Sequence, residues 1–131
     1  MSEDYSYFDF VGVRGGREKM NANQCSLNFT KHTRGITINQ EVTRYLSERN
    51  LNKVRIRYDN ITGDVCLVFN REIGTTITKS GRKNFNFCIF NKKFAEKIAE
   101  LLNLPLSEHT ILNLGNNTSR NDVCACYRIY K

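Results

Sequence analysis

The sequence predicts an α+β domain in which two pseudo-symmetric strand-helix-hairpin units share one core, with antiparallel sheets and two helices. One order of elements, namely strand, basic turn, strand, helix and hairpin, is read twice along the chain. The tripeptide Asp-Val-Cys also recurs, at 64–66 and at 122–124. A chain of 131 residues can bury one core but not two independent ones. We expect a single domain over 1–131, with an N-terminal arm or edge strand at 1–24, a first repeat at 25–70 and a second repeat at 73–130.

The first unit starts with an apolar stretch and the basic turn FTKHTRG at 29–35. Asn39 follows a short β-type run and is a good helix cap, because its side-chain oxygen can accept a hydrogen bond from an orphan main-chain N–H. Val42, Tyr45 and Leu46 then form an apolar stripe at helical spacing. This pattern predicts a turn between two strands and then one amphipathic helix.

A hairpin is predicted to complete the first unit. KVRIRY at 53–58 alternates charged and apolar residues, which is typical of a strand with one wet face. The polar stretch from Asn60 to Gly63 predicts the turn, and the apolar run at 65–69 predicts the second strand.

The second unit repeats this order. ITKSGRKNFNFCIFN at 77–91 again places Thr-Lys before an arginine, and Asn91 stands where Asn39 stands in the first unit. Phe94 and Ile98 begin the apolar stripe of a second helix, and Pro105 ends it because proline cannot continue a helix. A second hairpin is predicted to turn between about Gly115 and Asn121, so the two Asp-Val-Cys copies are expected to mark equivalent strands.

The net charge of +7 and a sequence pI of about 9.3 favour polyanionic partners. The start, MSEDYSYFDF, is acidic and lacks the pattern of a secretory signal, and no apolar run reaches the roughly 18 residues of a membrane helix. We therefore expect a cytoplasmic protein of the host cell with no membrane partner.

The five cysteines show no CxxC spacing, and we expect them to be buried free thiols without a metal. Nothing in the sequence places His32 or His109 beside a cysteine as a nucleophile pair. The carboxylates Glu96 and Glu100 are typical of a solvated helix surface. We therefore predict no catalytic residue, no cofactor and no enzymatic activity.

Cations in the predicted turns, on the charged strand and at the start of the second helix are the candidate contacts to a nucleic acid or a partner. Lysine would act as a point charge towards phosphate, and arginine as a fork for phosphate or guanine. Solvated turn charges and a charged edge strand are the structural alternatives. The candidates are Lys31, His32, Arg34, Arg55, Arg57, Lys79, Arg82, Lys83, Lys92 and Lys93.

The run GITINQEVTRYLSERNLNKVRIRYDNITGDVCLVF at 35–69 resembles the swapped-hairpin module of AbrB- and MraZ-type transcription regulators. In those families a short strand leads into one helix and then into a hairpin, and MraZ proteins carry two tandem copies. The composition is also similar to that of small accessory proteins of phages and mobile elements, a class that includes many anti-CRISPR proteins.

These observations favour two alternative functions. The first is a non-enzymatic, small DNA-binding transcription regulator of a phage or mobile element, whose partner is double-stranded DNA. The second is an anti-CRISPR-type inhibitor, whose partner is a host protein of a nucleic-acid-guided defence nuclease complex. Both functions are compatible with a homodimer.

Overall fold

The computed structural model describes residues 20–21, 23–29, 34–78, 86–106, 109–119 and 121–131, with Arg34 described by its backbone alone. Most of the predicted N-terminal arm or edge strand, residues 1–19 and 22, lies outside these residues. The same holds for five predicted contact residues, which are Lys31, His32, Lys79, Arg82 and Lys83.

The described residues form eight strands and two helices. In chain order they are β1 Gln24–Phe29, β2 Arg34–Ile38, α1 Gln40–Glu48, β3 Lys53–Tyr58, β4 Val65–Asn70, β5 Thr75–Thr76, β6 Cys88–Ile89, α2 Lys92–Leu101, β7 His109–Leu114 and β8 Ala125–Tyr130. The prediction of an α+β fold with antiparallel strands and two helices is confirmed for this part of the chain. The hairpin at 53–70 turns where the sequence predicted, whereas in the hairpin at 109–130 the last strand begins at Ala125, after the predicted Asp-Val-Cys strand start.

Asparagines flank both helices, one directly before each helix and one two residues after its end. The side chains of Asn39 and Asn91 accept a hydrogen bond from the main-chain N–H three residues along, at 2.9 and 3.0 Å. After the helices, Asn50 and Asn103 take left-handed backbone conformations, with φ of 57° and 56°. Asparagine tolerates this conformation better than most residues, so the two helices are closed in the same way.

The strands form one antiparallel sheet in the order β5-β3-β4-β8-β7-β1-β2-β6, where the sequence had predicted more than one sheet. The sheet bends until its two edges almost meet. Thr78, just after β5, exchanges two main-chain hydrogen bonds with Cys88 of β6, at 2.8 and 3.2 Å. The result is nearly a barrel, because this short bridge joins the two edge strands.

The core fills the interior of the curved sheet and is covered by the two helices. Inward residues alternate with outward ones along the long strands, as the pleat requires. The largest fully buried side chains are Phe69, Phe87, Leu27, Ile36, Ile38, Leu46, Leu51, Leu67, Ile89, Ile98, Leu112 and Ile129. Residues from both 25–70 and 73–130 therefore contribute to one continuous core.

Strands β2 and β6 approach each other closely at Gly35. Its φ is 153°, and a Cβ atom at this position would overlap the carbonyl oxygen of Ile89. Only glycine fits both this backbone conformation and this contact. Gly35 thereby brings the start of β2 against the chain that leads into α2.

The two Asp-Val-Cys tripeptides do not occupy equivalent positions. Val65 begins β4 and is buried, whereas Val123 lies in the turn before β8 and is exposed.

The prediction of buried cysteines is also wrong in part, since Cys25 and Cys126 are buried but Cys66, Cys88 and Cys124 are half-buried. Cys66 has this exposure because it belongs to the outward-facing set of β4.

Candidate nucleic-acid interface

The described candidate residues fall into two groups. Lys92 and Lys93 are the first two residues of α2, and both are exposed. Arg34 is the first residue of β2, although the sequence had placed it in a turn. Arg55 and Arg57 lie on β3, whose outward face is exposed at both positions.

The first group meets where β2 begins and α2 starts. Ile36 pairs with Ile89, and the Cα atom of Phe90 lies 3.2 Å from where a Cβ atom of Gly35 would stand. Arg34 directly precedes Gly35, and Lys92 follows Phe90 by two residues. The backbone therefore brings Arg34 to the start of α2, and we call Arg34, Phe90, Lys92 and Lys93 the basic end.

Phe90 is a member of the basic end that the sequence reasoning missed. Its side chain is 57% exposed, which is unusual for a phenylalanine beside a fully buried Ile89. The alternation FCIF at 87–90 carried the signal, since Phe87 and Ile89 point into the core and Phe90 continues outward. An exposed aromatic ring beside two lysines can stack on a base while the lysines meet phosphates.

The start of α2 is also electrostatically positive. A helix N-terminus carries the positive end of the helix dipole and unpaired N–H groups. The first turn of α2 has no acidic residue, whereas the first turn of α1 has Glu41. Lys92 lies 4.0 Å from Glu96, a long and exposed ion pair that neutralises little of this charge. The basic end therefore favours an anion.

The second group lies on the outer face of β3, β4 and β8. Arg57 donates a hydrogen bond from Nη2 to Sγ of Cys126 at 3.2 Å, and it stands opposite Cys66. Burial, followed by the neighbouring Cys126, raises the pKa of the Cys66 thiol. Arg57 is thus partly occupied with the thiols beside it, and Arg55 is the freer cation of this pair.

Two further arginines have structural roles that the sequence did not reveal. Arg128 of β8 forms an ion pair with Asp64 across the outer face, with 3.2 Å between Nε and Oδ1. Arg71, just after β4, donates hydrogen bonds to the carbonyl oxygens of Arg49 and Asp122. Sequence patterns carry no signal for such carbonyl contacts, because the partners are distant in the chain.

The candidates that the structure describes lie on different strands of the sheet. Arg34, Lys92 and Lys93 belong to the side of the sheet formed by β2 and β6, whereas Arg55 and Arg57 belong to β3. Within the described ranges, no three histidine, cysteine, aspartate or glutamate side chains gather as metal ligands. No helix in the same part of the chain is long and apolar enough to cross a bilayer.

Comparison with known proteins finds no matching family model, no matching curated protein and no matching solved structure.

Proposed function

We propose that this chain is a non-enzymatic, small DNA-binding transcription regulator of a phage or mobile element, and that it binds through the basic end. The observation that carries the proposal is the exposed ring of Phe90 beside Lys92 and Lys93 at an uncompensated helix N-terminus. Phosphate groups supply most of the affinity in DNA binding, and lysines at a helix start are suited to them. Phe90 supplies an apolar contact to a sugar or to a thymine methyl group in a groove of the duplex.

We also infer that the two units are related by a pseudo-twofold axis, as the resemblance to swapped-hairpin regulators implies. The pairing registers support this. Gln24 pairs with Asn113 between the first strand of unit one and the second unit's hairpin. Likewise, Thr76 of the second unit's first strand pairs with Lys53 of the first unit's hairpin. A twofold axis that relates Gln24 to Thr76 and Lys53 to Asn113 would convert one of these pairs into the other.

The middle of the sheet supports the same axis. Strands β4 and β8 are the last strands of the two units, and they pair with each other antiparallel about Leu67 and Tyr127. With Leu67 corresponding to Tyr127, Cys66 corresponds to Cys126, and neither corresponds to Cys124. The repeat therefore follows the strands, and the Asp-Val-Cys echo is displaced from it by two residues.

The axis gives the remaining candidate cations a role. Lys79, Arg82 and Lys83 correspond to the basic turn of the first unit. The described chain resumes at Asn86, whose Nδ2 donates to the carbonyl oxygen of Ile38 at 2.8 Å, next to the cap of α1. Lys79, Arg82 and Lys83 themselves lie outside the described residues, and we keep the prediction from the sequence that the paired basic turns contact successive stretches of a duplex.

A mobility-shift assay with a random duplex at about 50 mM salt tests the proposal. The double variant Lys92→Ala/Lys93→Ala should weaken binding strongly. The control Lys53→Ala/Lys131→Ala removes the same charge from the start of β3 and the end of β8, away from α2, and should weaken it much less. Absence of any shift for the unaltered protein, or equal losses in both double variants, would rule out binding through the basic end.

A second candidate function is inhibition of a host nucleic-acid-guided nuclease by direct protein contact. The specific observation in its favour is a group of exposed aliphatic side chains around Arg55, since exposed apolar surface beside arginine is typical of protein interfaces. Affinity capture with purified guide-nuclease complex, with and without bound nucleic acid, tests this candidate. A nuclease inhibitor should bind that complex with 1:1 stoichiometry and reduce cleavage.

A further inference from the structure

An open concavity of about 340 Å³ lies on the outer face, between the end of β4 and the turn before β8. Its volume suits one or two amino-acid side chains rather than a large cofactor. It shares no lining residue with the basic end. The lining residues are Arg55, Val68, Asn70, Arg71, Glu72, Ile73, Val123 and Cys124.

The wall after β4 is held by hydrogen bonds. Asn70 Oδ1 accepts from the main-chain N–H groups of Glu72 and Ile73 at 2.8 and 2.7 Å, and Asn70 Nδ2 donates to the carbonyl oxygen of Ile73 at 2.9 Å. One short side chain therefore fixes the turn that carries Ile73. A wall fixed in this way loses little entropy when a ligand binds.

The opposite wall is held in a similar way. Asn121 Oδ1 accepts from the N–H of Val123 at 3.1 Å, and Ser119 Oγ lies 3.0 Å from Cys124 Sγ. Arg71 ties the two walls together, because its guanidinium reaches the carbonyl oxygen of Asp122 at 3.4 Å. The concavity is therefore largely formed before any ligand arrives.

Aliphatic side chains form the body of the concavity. Ile73 is 60% exposed and Val123 is 57% exposed, while Val68 of β4 is buried. Exposed large aliphatic residues grouped around a concave surface mark a binding site more often than solvated surface. An aliphatic side chain of a partner would cover all three.

Arg55 adds a positive charge at the same place. It stands directly opposite Val68 in the pairing of β3 with β4, so both belong to the outer face. Among the described residues, no ion pair of Arg55 is found, in contrast to Arg128 and Arg49. An exposed arginine beside apolar surface is a good partner for a single carboxylate.

Two features of the lining favour a peptide over a nucleic acid. None of the eight lining residues is aromatic, so the concavity offers no ring on which a base could stack. Glu72 also lines it, and its carboxylate would repel a run of phosphates more strongly than the single carboxylate that pairs with Arg55.

We propose that this concavity binds a segment of a partner protein that carries an aliphatic side chain next to an aspartate or glutamate. The aliphatic side chain packs between Ile73 and Val123, and the carboxylate pairs with Arg55. This site is independent of DNA binding at the basic end, and it gives the protein a second class of partner.

Selection of phage-displayed random 12-residue peptides against the full-length protein tests the proposal. Enriched peptides should share an aliphatic residue next to Asp or Glu. In fluorescence anisotropy, Val123→Asp and Arg55→Glu should each weaken these peptides at least tenfold. Ile61→Asp places the same charge at a hairpin tip that is 91% exposed and should leave affinity unchanged, as should Lys92→Ala/Lys93→Ala.

Circular dichroism of each variant establishes that the exposed substitutions leave the fold intact. The proposal is overturned if no peptide is enriched, if the enriched peptides lack the aliphatic-acidic pair, or if folded Val123→Asp and Arg55→Glu bind them as well as the unaltered protein. Retained peptide binding by a Lys92→Ala/Lys93→Ala protein that no longer shifts DNA would separate this site from the proposed DNA contact.

Discussion

The guanidinium of Arg71 donates two hydrogen bonds to the main-chain carbonyl of Arg49, from Nε at 3.0 Å and from Nη2 at 2.9 Å. Arg49 follows α1, so this contact satisfies a carbonyl group that the helix leaves unpaired. Arg49 in turn lies over the ring of Tyr45, 3.7 Å from its centre, and forms an ion pair with Asp122. Arg71 thus joins the end of β4, the end of α1 and the turn before β8.

Arg71→Ala should lower the free energy of unfolding by about 1 kcal/mol, because it leaves the Arg49 carbonyl without its charged donor. Arg71→Lys should recover little, since an ammonium group cannot supply the two-pronged contact. Urea denaturation measures both effects. The matched control is Arg55→Ala on the neighbouring strand, which should change stability little, and an equal loss in that control would remove the assigned role of Arg71.

Gly35→Ala should destabilise the fold by several kcal/mol, because it adds a Cβ atom where the Ile89 carbonyl lies and forces a side chain into an unfavourable φ. Gly63→Ala is the comparison. Gly63 also has a positive φ, of 81°, but its Cβ atom would meet open space. The cost there should be about 1 kcal/mol, from the backbone alone. Similar thermal midpoints for the two variants would contradict the close approach of β2 and β6.

Stability should fall as the pH rises from about 9 to about 12. Burial raises the pKa of Cys25 from 9.0 to about 12, and burial raises that of Tyr127 from 10.0 to about 12. In the folded state both groups stay protonated up to a higher pH than in the unfolded chain. Their contribution to stability is therefore complete below their ordinary pKa values. It is lost as the pH rises towards 12, because the unfolded chain releases these protons first.

The slope of unfolding free energy against pH measures this effect. Cys25→Ala and Tyr127→Phe should each make the alkaline slope shallower, because each removes one of the two ionisations. Tyr58→Phe, at an exposed tyrosine, provides the comparison and should leave the slope close to that of the unaltered protein. An unchanged slope in both buried-site variants would contradict the assignment.

Neither half of the chain should fold alone. Fragment 20–72 would expose the whole edge of β4, including the inward Phe69, whose ring packs edge-on to Tyr127 with 5.8 Å between centres. Each fragment should give a poorly dispersed NMR spectrum, and a mixture of 20–72 with 73–131 should restore the spectrum of the full chain. A folded, monomeric 20–72 fragment would show that the units do not share their core.

Local patterns predicted the elements well, because caps and periodicity are local physics. Asn39 and Asn91 were identified as helix caps from their place before an apolar stripe, and both make the expected hydrogen bond. The hairpin turns followed from polar stretches between apolar runs. A shared tripeptide was a poorer guide to equivalent structural positions, since Val65 is buried and Val123 is exposed although both belong to Asp-Val-Cys sequences.

The sites were harder to predict, because they depend on contacts between distant parts of the chain. Lys92 and Lys93 were predicted from their position at a helix start, whereas the exposed Phe90 next to them was not identified. Arg55 was identified as a cation on a wet strand. Nothing local indicated that Ile73 and Val123 would stand beside it, since pairing of β4 with β8 creates that neighbourhood.

The salt dependence of duplex affinity tests the central claim most directly. Fluorescence anisotropy with a labelled random duplex, between about 50 and 200 mM salt, should give a straight line of log affinity against log salt. If Lys92 and Lys93 each meet a phosphate, Lys92→Ala/Lys93→Ala should flatten that line by about 1.8, whereas Lys53→Ala/Lys131→Ala should leave it nearly unchanged. No measurable binding by the unaltered protein, or the same slope in both double variants, would contradict DNA binding at the basic end.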